Sequence, residues 1–569
     1  MIVPIKPKVE LLASTKNPYD IAVASARTCY SPKLIKPFEV TPGQREKIGG
    51  LIYEAGHHTP FQHPTFVFGI SGVSRHFVWA FLHSHPFFNS EQQSQRYVYF
   101  ENPEIFIPPF EAEGSAGRAS AGFGAAGHQS IKYDGFKAAN LYKEAFSQAY
   151  EAYKRLAEIL IEDNFKLLSQ IGKIKGQTEK EIRTESEKKA IENARYVLPI
   201  CSATTLYHTV SAITLQRYIR LVNACDTPYE AKIVVDAMMG AINQEDPTLL
   251  KMIGEMPVMQ EKTLEYGEEV SGLPSYGDKF AEEFDKDLNE NTDGGASRIS
   301  KLISYQGNGE LLLANAVRGV IGVSGADLSD DDAIDLVMNP SKNAYHLDTL
   351  NSAVHSPLMR ALQNVSYTFK KKISHTADSQ DQRHRMTPTS KPLLSRVHTV
   401  KPDYYIPEII AKNAQATDIY VKTMEMLWET KNSLIDVGVS PEYAVYILPN
   451  ALNVRFMQSG NLLGFAHKWR LRTCFNAQSE IFNASMDELS QVAFVHPRIT
   501  RYLGPPCFVR YKGGLCGHEK CDDGNCDSDC NCGNGKTCVD TKREGPCPEG
   551  SHWCGITVWM NFPKVKRPF

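Results

Sequence analysis

Ser90-Glu91-Gln92-Gln93-Ser94-Gln95-Arg96-Tyr97 and Gln380-Asp381-Gln382-Arg383-His384-Arg385 are the stretches from which the rest of the chain is read. The first places a hydroxyl two residues before a guanidinium, in a run too polar for a core. The second packs two guanidiniums around an imidazole, with a glutamine amide three residues upstream. Guanidinium forks match phosphate and carboxylate oxygens, so both loops suit an anionic ligand.

The surroundings of the two loops repeat in order. His58-Thr59-Pro60-Phe61 is echoed by His355-Ser356-Pro357-Leu358, and strand-like Phe66–Ile70 by Val365–Phe369. Val197-Leu198-Pro199 is echoed by Ile447-Leu448-Pro449. Apolar spacing predicts helices over 18–29, near 44–56, from about 135 to 170, from about 207 to 222, near 310–320, from about 412 to 432 and, last, from about 460 to 472. Glu179–Lys189 reads as the solvated face of a helix. Residues 112–128, rich in Gly, Ala and Ser, read as a surface loop, and acidic 271–297 as a linker. The expected fold class is α/β (α+β). Two tandem domains, 1–270 and 298–503, each pack a sheet with long helices, and a small metal-stapled segment follows at 504–569.

At 569 residues the chain is too long for one core. A net charge of −3 gives no basic face for bulk nucleic-acid binding, and no apolar run approaches the length of a membrane span. The first residues lack a signal peptide's apolar stretch, so a reducing cytoplasm is expected. Of thirteen cysteines, nine fall between Cys507 and Cys554. In that compartment clustered cysteines favour metal over disulfide. Cys29, Cys201, Cys225 and Cys474 are scattered and read as buried free thiols.

The two loops resemble halves of one signature, the arginine-histidine-arginine, seven residues, serine motif of flavin-dependent thymidylate synthase (ThyX). Each repeat resembles that family over nearly its whole length, and neither keeps the whole motif. In the first, Ser84-His85-Pro86 stands where Arg-His-Arg is expected, with Phe81 in place of the glutamine, while Ser94, Arg96, Tyr97 and Arg195 match. In the second, Gln380, Arg383, His384 and Arg385 match, with Asn461, His467, Arg472 and Ala477-Gln478 beyond them. Leu393 replaces the serine, and Val445 the arginine before Leu448-Pro449. Val222 or Asn223 stands in the first repeat where Arg472 stands in the second.

The losses are complementary, which implies one working site between the repeats and a dead mirror site. The resemblance implies methylation of dUMP with methylenetetrahydrofolate, FAD and NADPH. It also implies a homodimer that rebuilds the family's tetramer. Ser94, Arg383 and Gln92 are its expected catalytic residues. Ser94 orients and polarises the pyrimidine and is no nucleophile, since no His/Asp pair activates it. Arg383, His384, Arg385, Asn461, His467, His57 and Thr59 are expected at the flavin. Gln380, Arg96, Tyr97, Arg195 and Arg472 are expected at the nucleotide. Taken singly, the Ser-x-Arg-Tyr loop is an ordinary surface turn, Arg-His-Arg a solvated patch, and His57, His58 and His63 surface histidines. A flavoenzyme acting on a modified or polynucleotide pyrimidine, and a non-catalytic nucleotide-binding scaffold, are the rival readings.

The tail carries Cys507, Cys516, His518, Cys521, Cys526, Cys530, Cys532, Cys538, Cys547, His552 and Cys554 among Gly, Asp and Asn. With few core-forming residues, it is expected to fold around zinc held by Cys507, Cys516, Cys547 and Cys554, the middle five cysteines forming an insertion. An iron–sulfur cluster or oxidised cysteines are the alternatives. Recognition of nucleic acid through the tail stays open.

Overall fold

The computed structural model describes residues 2–84, 87–110, 133–223, 227–254, 277–290, 298–347, 353–514 and 546–568. Two four-stranded antiparallel sheets of matching order lie at its centre. In the first half Lys8–Ser14, Thr65–Ser74, Ala203–Ser211 and Asn89–Gln92 lie in that order across the sheet. In the second half the order is Ser300–Tyr305, Ser366–Ser374, Asn453–Asn461 and Thr389–Ser390. Corresponding helices begin on the same device. Ser74 caps Arg75–His83 by accepting from the Phe77 N–H, and Ser374 caps His375–Asp381 by accepting from the Ala377 N–H. Each serine also bonds a buried glutamate from the same later helix, Ser74 to Glu230 and Ser374 to Glu480.

The halves meet around a pseudo-two-fold axis. The Ile200 N–H donates to Leu448 O at 2.8 Å, and the Asn450 N–H donates to Leu198 O at 2.9 Å. The next residues repeat the exchange, Cys201 to Tyr446 O and Ala451 to Tyr196 O, both at 3.0 Å. A contact in which i meets j and j meets i is the isologous pattern of a C2 dimer, here within one chain. The largest core crosses it, joining Trp79, Tyr153, Leu156 and Tyr196 to Tyr420, Met424, Trp428 and Phe475. The Gly135–Lys175 helix supplies much of the first half's share. It starts on Asp134, whose carboxylate accepts from the Phe136 and Lys137 N–H groups, and ends at Gly176 in the left-handed region.

Several boundaries differ from the sequence reading. Residues 203–211 are strand, and the helix begins only at Ala212. Leu206, His208 and Val210 are buried while Tyr207 is exposed, a period of two that the helical reading overlooked. Its counterpart Asn453–Asn461 is likewise strand, so the expected 460–472 helix starts at Leu462. That helix is not the last, because Ser479–Val495 and Pro506–Lys512 follow. Part of the expected linker, Gly277–Asn289, is an amphipathic helix that buries Ala281, Phe284 and Leu288. Asp285 on that helix pairs with Arg455 at 2.7 Å and with Lys372 at 2.7 Å. The tail has more core than its composition suggests, since Phe508, Val509, Val558 and Trp559 join the shared core. Residues 112–128 lie outside the described residues.

A cluster of histidines is buried at the seam. Among the described residues neither ring nitrogen of His375 is hydrogen-bonded, and the ring lies tilted, 5.1 Å from Trp79, whose Nε1–H donates to Asp378. Burial pushes His76 down to about 3 and His83 down to about 4, and it holds His375 well below the ordinary range. These rings stay neutral in the fold and take up protons near pH 6.5 when unfolded. The stability they contribute is therefore present above pH 6.5 and lost as pH falls. The melting temperature of His375→Phe should drop less between pH 7 and pH 5 than that of wild type; parallel curves by calorimetry would rule this out. Asp285→Ala, which leaves the buried Arg455 one carboxylate short, should lower unfolding free energy by about 1–3 kcal/mol in a denaturant titration. No change would mean that the helix is not anchored there.

Candidate functional site

The seam brings the two polar loops together. After strand Asn89–Gln92 the chain turns through Ser94, whose Oγ accepts from the Arg96 N–H at 3.2 Å. Arg96 pairs through Nε with Glu192 and donates from Nη2 to Asn476 O at 2.9 Å. Arg195 follows the Glu179–Ala194 helix and donates to Glu192 O at 3.2 Å and to Gln478 Oε1 at 3.0 Å. Gln478 Oε1 also accepts from Gln380. Arg472 donates from Nε to His384 Nε2 at 2.8 Å and from Nη2 to Gln380 O at 3.1 Å. Arg96 and Arg195 of the first half thus join Gln380, His384, Arg472 and Gln478 of the second in one web.

The web's electrostatics favour an anion. Burial alone would raise the Glu192 carboxyl, but Lys189, Arg96 and Arg195 outweigh it and hold the group well below the carboxylate range. Burial lowers Arg472 to about 10, opposed by Asp381, so it remains charged at neutral pH. Burial, with Arg472 beside it, depresses His384 strongly. The imidazole is then neutral. Because Nε2 accepts from Arg472, the proton sits on Nδ1, a buried donor with no partner among the described residues. Gln380 Oε1 and the Gln382 amide are likewise buried with no partner among the described residues. Unpaired buried polar atoms in a cluster require an explanation, and a bound ligand supplies one.

Beside the web, a groove of about 290 Å³ runs between the halves. Arg383 and Arg385 stand on one wall, with Phe88, Glu91 and Gln92 on the other. Arg383 pairs with Glu91 at 3.3 Å, and both are largely exposed. Arg385 donates to Asn89 Oδ1 at 3.3 Å and lies over the Phe88 ring. Exposed forked cations, a neutral imidazole N–H and unpaired amides fit the pyrophosphate and ring edges of a flavin dinucleotide.

Other expected residues are placed differently. Asn461 caps its helix, accepting from the Gly464 N–H at 3.0 Å, which is a structural role. His467 meets His384 edge-on at 5.6 Å, close to the web. Tyr97 is exposed, with the Arg96 guanidinium over its ring. His57 and Thr59 are exposed at the Thr59–Gln62 turn, and no contact among the described residues joins them to the web. The mirror alignment shifts by one residue. The shared Ser74 and Ser374 caps match Gln380 to Ala80 and Arg383 to His83, where the sequence reading chose Phe81 and Ser84. His85 and Pro86 lie outside the described residues.

Sequence reasoning gave no role to Glu192, Asn476 or Gln478. The spacing of three between Glu192 and Arg195 was the available signal for the first, and the Ala477-Gln478 match for the last. The tail straps the same loop: Asn476 Nδ2 donates to His552 O at 2.6 Å and Arg567 Nη2 to Ala477 O at 2.5 Å. The zinc expectation finds no support. Among the described residues no three His, Cys, Asp or Glu are arranged to hold a metal, and Cys516 and residues 521–538 lie outside them. Burial raises the Cys507 and Cys554 thiols, and Cys474 to about 12, keeping them protonated.

The chain matches the family model described as thymidylate synthase complementing protein over residues 10–248 and 301–498. Flavin-dependent thymidylate synthase of Clostridium tetani (strain Massachusetts / E88) is 28% identical over 249 residues, 43% of this chain and 86% of the relative. That of Saccharolobus solfataricus is 28% identical over 213 residues, 37% of this chain and 78% of the relative. Among solved structures, the UMP/dUMP methylase PolB from Streptomyces cacaoi bound with 5-Br dUMP matches with 18% identity and a TM-score of 0.32, over 46% of this chain and 100% of that one. With two family segments in tandem, the chain belongs to the thymidylate synthase complementing protein family, that of the flavin-dependent thymidylate synthases.

Proposed function

We propose that this chain methylates dUMP, or a close pyrimidine nucleotide, at one site between its two halves. FAD is the bound cofactor, with methylenetetrahydrofolate and NADPH as co-substrates. The observation that carries the reading is the shared web: Arg96 and Arg195 come from one half, Gln380, His384 and Arg472 from the other. Phosphate held without metal needs guanidiniums from several directions, and among the described residues these arginines offer them with Glu192 as the one ion-paired carboxylate.

Within that site, Arg96, Arg195 and Arg472 bind the nucleotide phosphate. Ser94 Oγ already accepts from the Arg96 N–H, so its own proton is left to donate to a pyrimidine carbonyl. The amides of Gln92 and Gln380 read the base edge. Arg383 and Arg385 set positive charge beside the cofactor, and His384 offers Nδ1–H to it. When bound, the flavin supplies the redox chemistry and relays the one-carbon unit. The surrounding residues place the nucleotide against it and exclude water. We read the domain limits as 1–270 and 298–503. Two chains pair to reproduce a four-domain assembly, in which exposed His57 and Thr59 reach the flavin of the neighbouring chain.

Purified protein reconstituted with FAD should absorb near 450 nm and release tritium from [5-³H]dUMP. Colourless protein without release would defeat the reading. Ser94→Ala and Arg383→Ala lie in different halves, yet each should lower kcat/KM by about 100-fold or more, whereas Ser390→Ala should stay within about twofold. Equal loss in all three, or none, would contradict a site shared as described. Asn476→Ala, which cuts one of the tail's two links to the 476–477 segment and leaves that of Arg567, should raise KM for dUMP by about 3- to 10-fold with kcat nearly kept. An unchanged KM would show that the Asn476 link does not order that segment.

A further inference from the structure

Directly behind the Gln380–Arg385 segment, the second half buries four charges. Lys371 Nζ lies 2.8 Å from Asp381 and 2.7 Å from Glu488. Lys468 Nζ lies 3.1 Å from Asp381 and 3.0 Å from Glu488. Gln458 Oε1 accepts from both lysines, at 3.1 and 2.6 Å, and the Trp469 Nε1–H donates to Glu488 at 2.8 Å. All four charged side chains are at most 1% exposed. Lys371 is raised and Asp381 and Glu488 are lowered despite burial, because each faces opposite charge, so these three stay ionised, while burial lowers Lys468 against the pull of both carboxylates.

The first half fills the corresponding positions without charge. Strand pairing matches Lys371 to Ile70, since Lys371 faces Phe456 as Ile70 faces Leu206. The shared serine caps match Asp381 to Phe81. The strands and helices that follow match Gln458 to His208, Lys468 to Tyr218 and Glu488 to Met238. Those five residues are buried and touch in the same way: Phe81 packs 4.2 Å from Tyr218, whose hydroxyl meets His208 Nε2 at 3.0 Å. One fold therefore tolerates both cores. Desolvating four charges is costly, and apolar replacements of buried pairs are often neutral or stabilising, so stability does not account for the network.

The charged core sits only behind the loop that keeps Arg-His-Arg. Asp381 adjoins Gln380, and its carbonyl accepts from the His384 N–H at 2.9 Å. Lys468 precedes Arg472 by one helical turn. We propose that the Lys371–Asp381–Lys468–Glu488 network is a positioning device. It locks the helix bearing Gln380, and the turn after it that carries Arg383–Arg385, against the helix bearing His467 and Arg472, and it is not needed for folding. The proposal rests on the assignment of the working site to these residues.

The test transplants the first half's own core: Lys371→Ile, Asp381→Phe, Gln458→His, Lys468→Tyr and Glu488→Met together. Thermal unfolding, FAD affinity by quenching of flavin fluorescence, and kcat are measured beside wild type. The expected result is an equal or higher melting temperature, an FAD Kd raised by about 10-fold or more, and a matching fall in kcat. A folded variant with wild-type affinity and kcat overturns the proposal. If the variant does not fold, Asp381→Asn decides. Weakened FAD binding partly restored in Asp381→Glu supports positioning, and a lower melting temperature with unchanged affinity overturns it. Wild type that binds neither FAD nor dUMP removes the site assignment itself, an outcome distinct from either.

Discussion

The reciprocal hydrogen bonds between residues 196–201 and 446–451 fix everything else in this molecule. Backbone donors buried in a seam must find acceptors, and here each half supplies them to the other through the same residues. That exchange sets the pseudo-two-fold axis. The axis carries Arg195, three residues before Leu198, to Gln478, and lets Arg96 of the Ser94 turn donate to Asn476 O next to it. Once the seam is set, the functional side chains have little freedom to be anywhere else.

A two-fold axis within one chain creates two related sites, and the sequence treats them differently. On one side Arg96, Arg195 and Arg472 converge around the buried Glu192. On the other, the matched positions hold Val222, Val445, Leu393 and His83. Val222 and Val445 are buried in ordinary apolar core, so that side has been turned into packing. Duplication in one chain permits this division, because each half is free to lose what its partner still supplies. A homo-oligomer has no such freedom, since one substitution alters every copy. The buried charge network follows the same division, present behind one loop and replaced by Ile, Phe, Tyr and Met behind the other.

Much of this was legible in the residues. The repeated His-x-Pro and Leu-Pro landmarks located both halves, and the complementary losses pointed to Arg96, Arg195, Gln380, His384 and Arg472, which the fold gathers into one hydrogen-bonded web. What escaped has physical causes. The strand 203–211 runs straight into its helix without a Gly or Pro break, so its period of two was absorbed into the helical pattern that follows. The helix 277–289 hid under its acidic composition, because its apolar stripe is only three residues wide. The helix cap that Asn461 makes through Oδ1 also went unread, although its position before a helix suits one. Gln478 and Asn476 work through contacts 283 and 380 residues away, which no local pattern encodes. The tail's cysteines drew attention to metal, while its real anchorage is Phe508, Trp559 and hydrogen bonds to the arginine loop.

The central claim is that two incomplete halves make one working site per chain. Counting ligands tests it most directly, by native mass spectrometry or calorimetric titration of the FAD-loaded protein with dUMP. The account predicts one flavin and one nucleotide for each chain. Two of each, or a nucleotide count that survives Arg195→Ala unchanged, would contradict it.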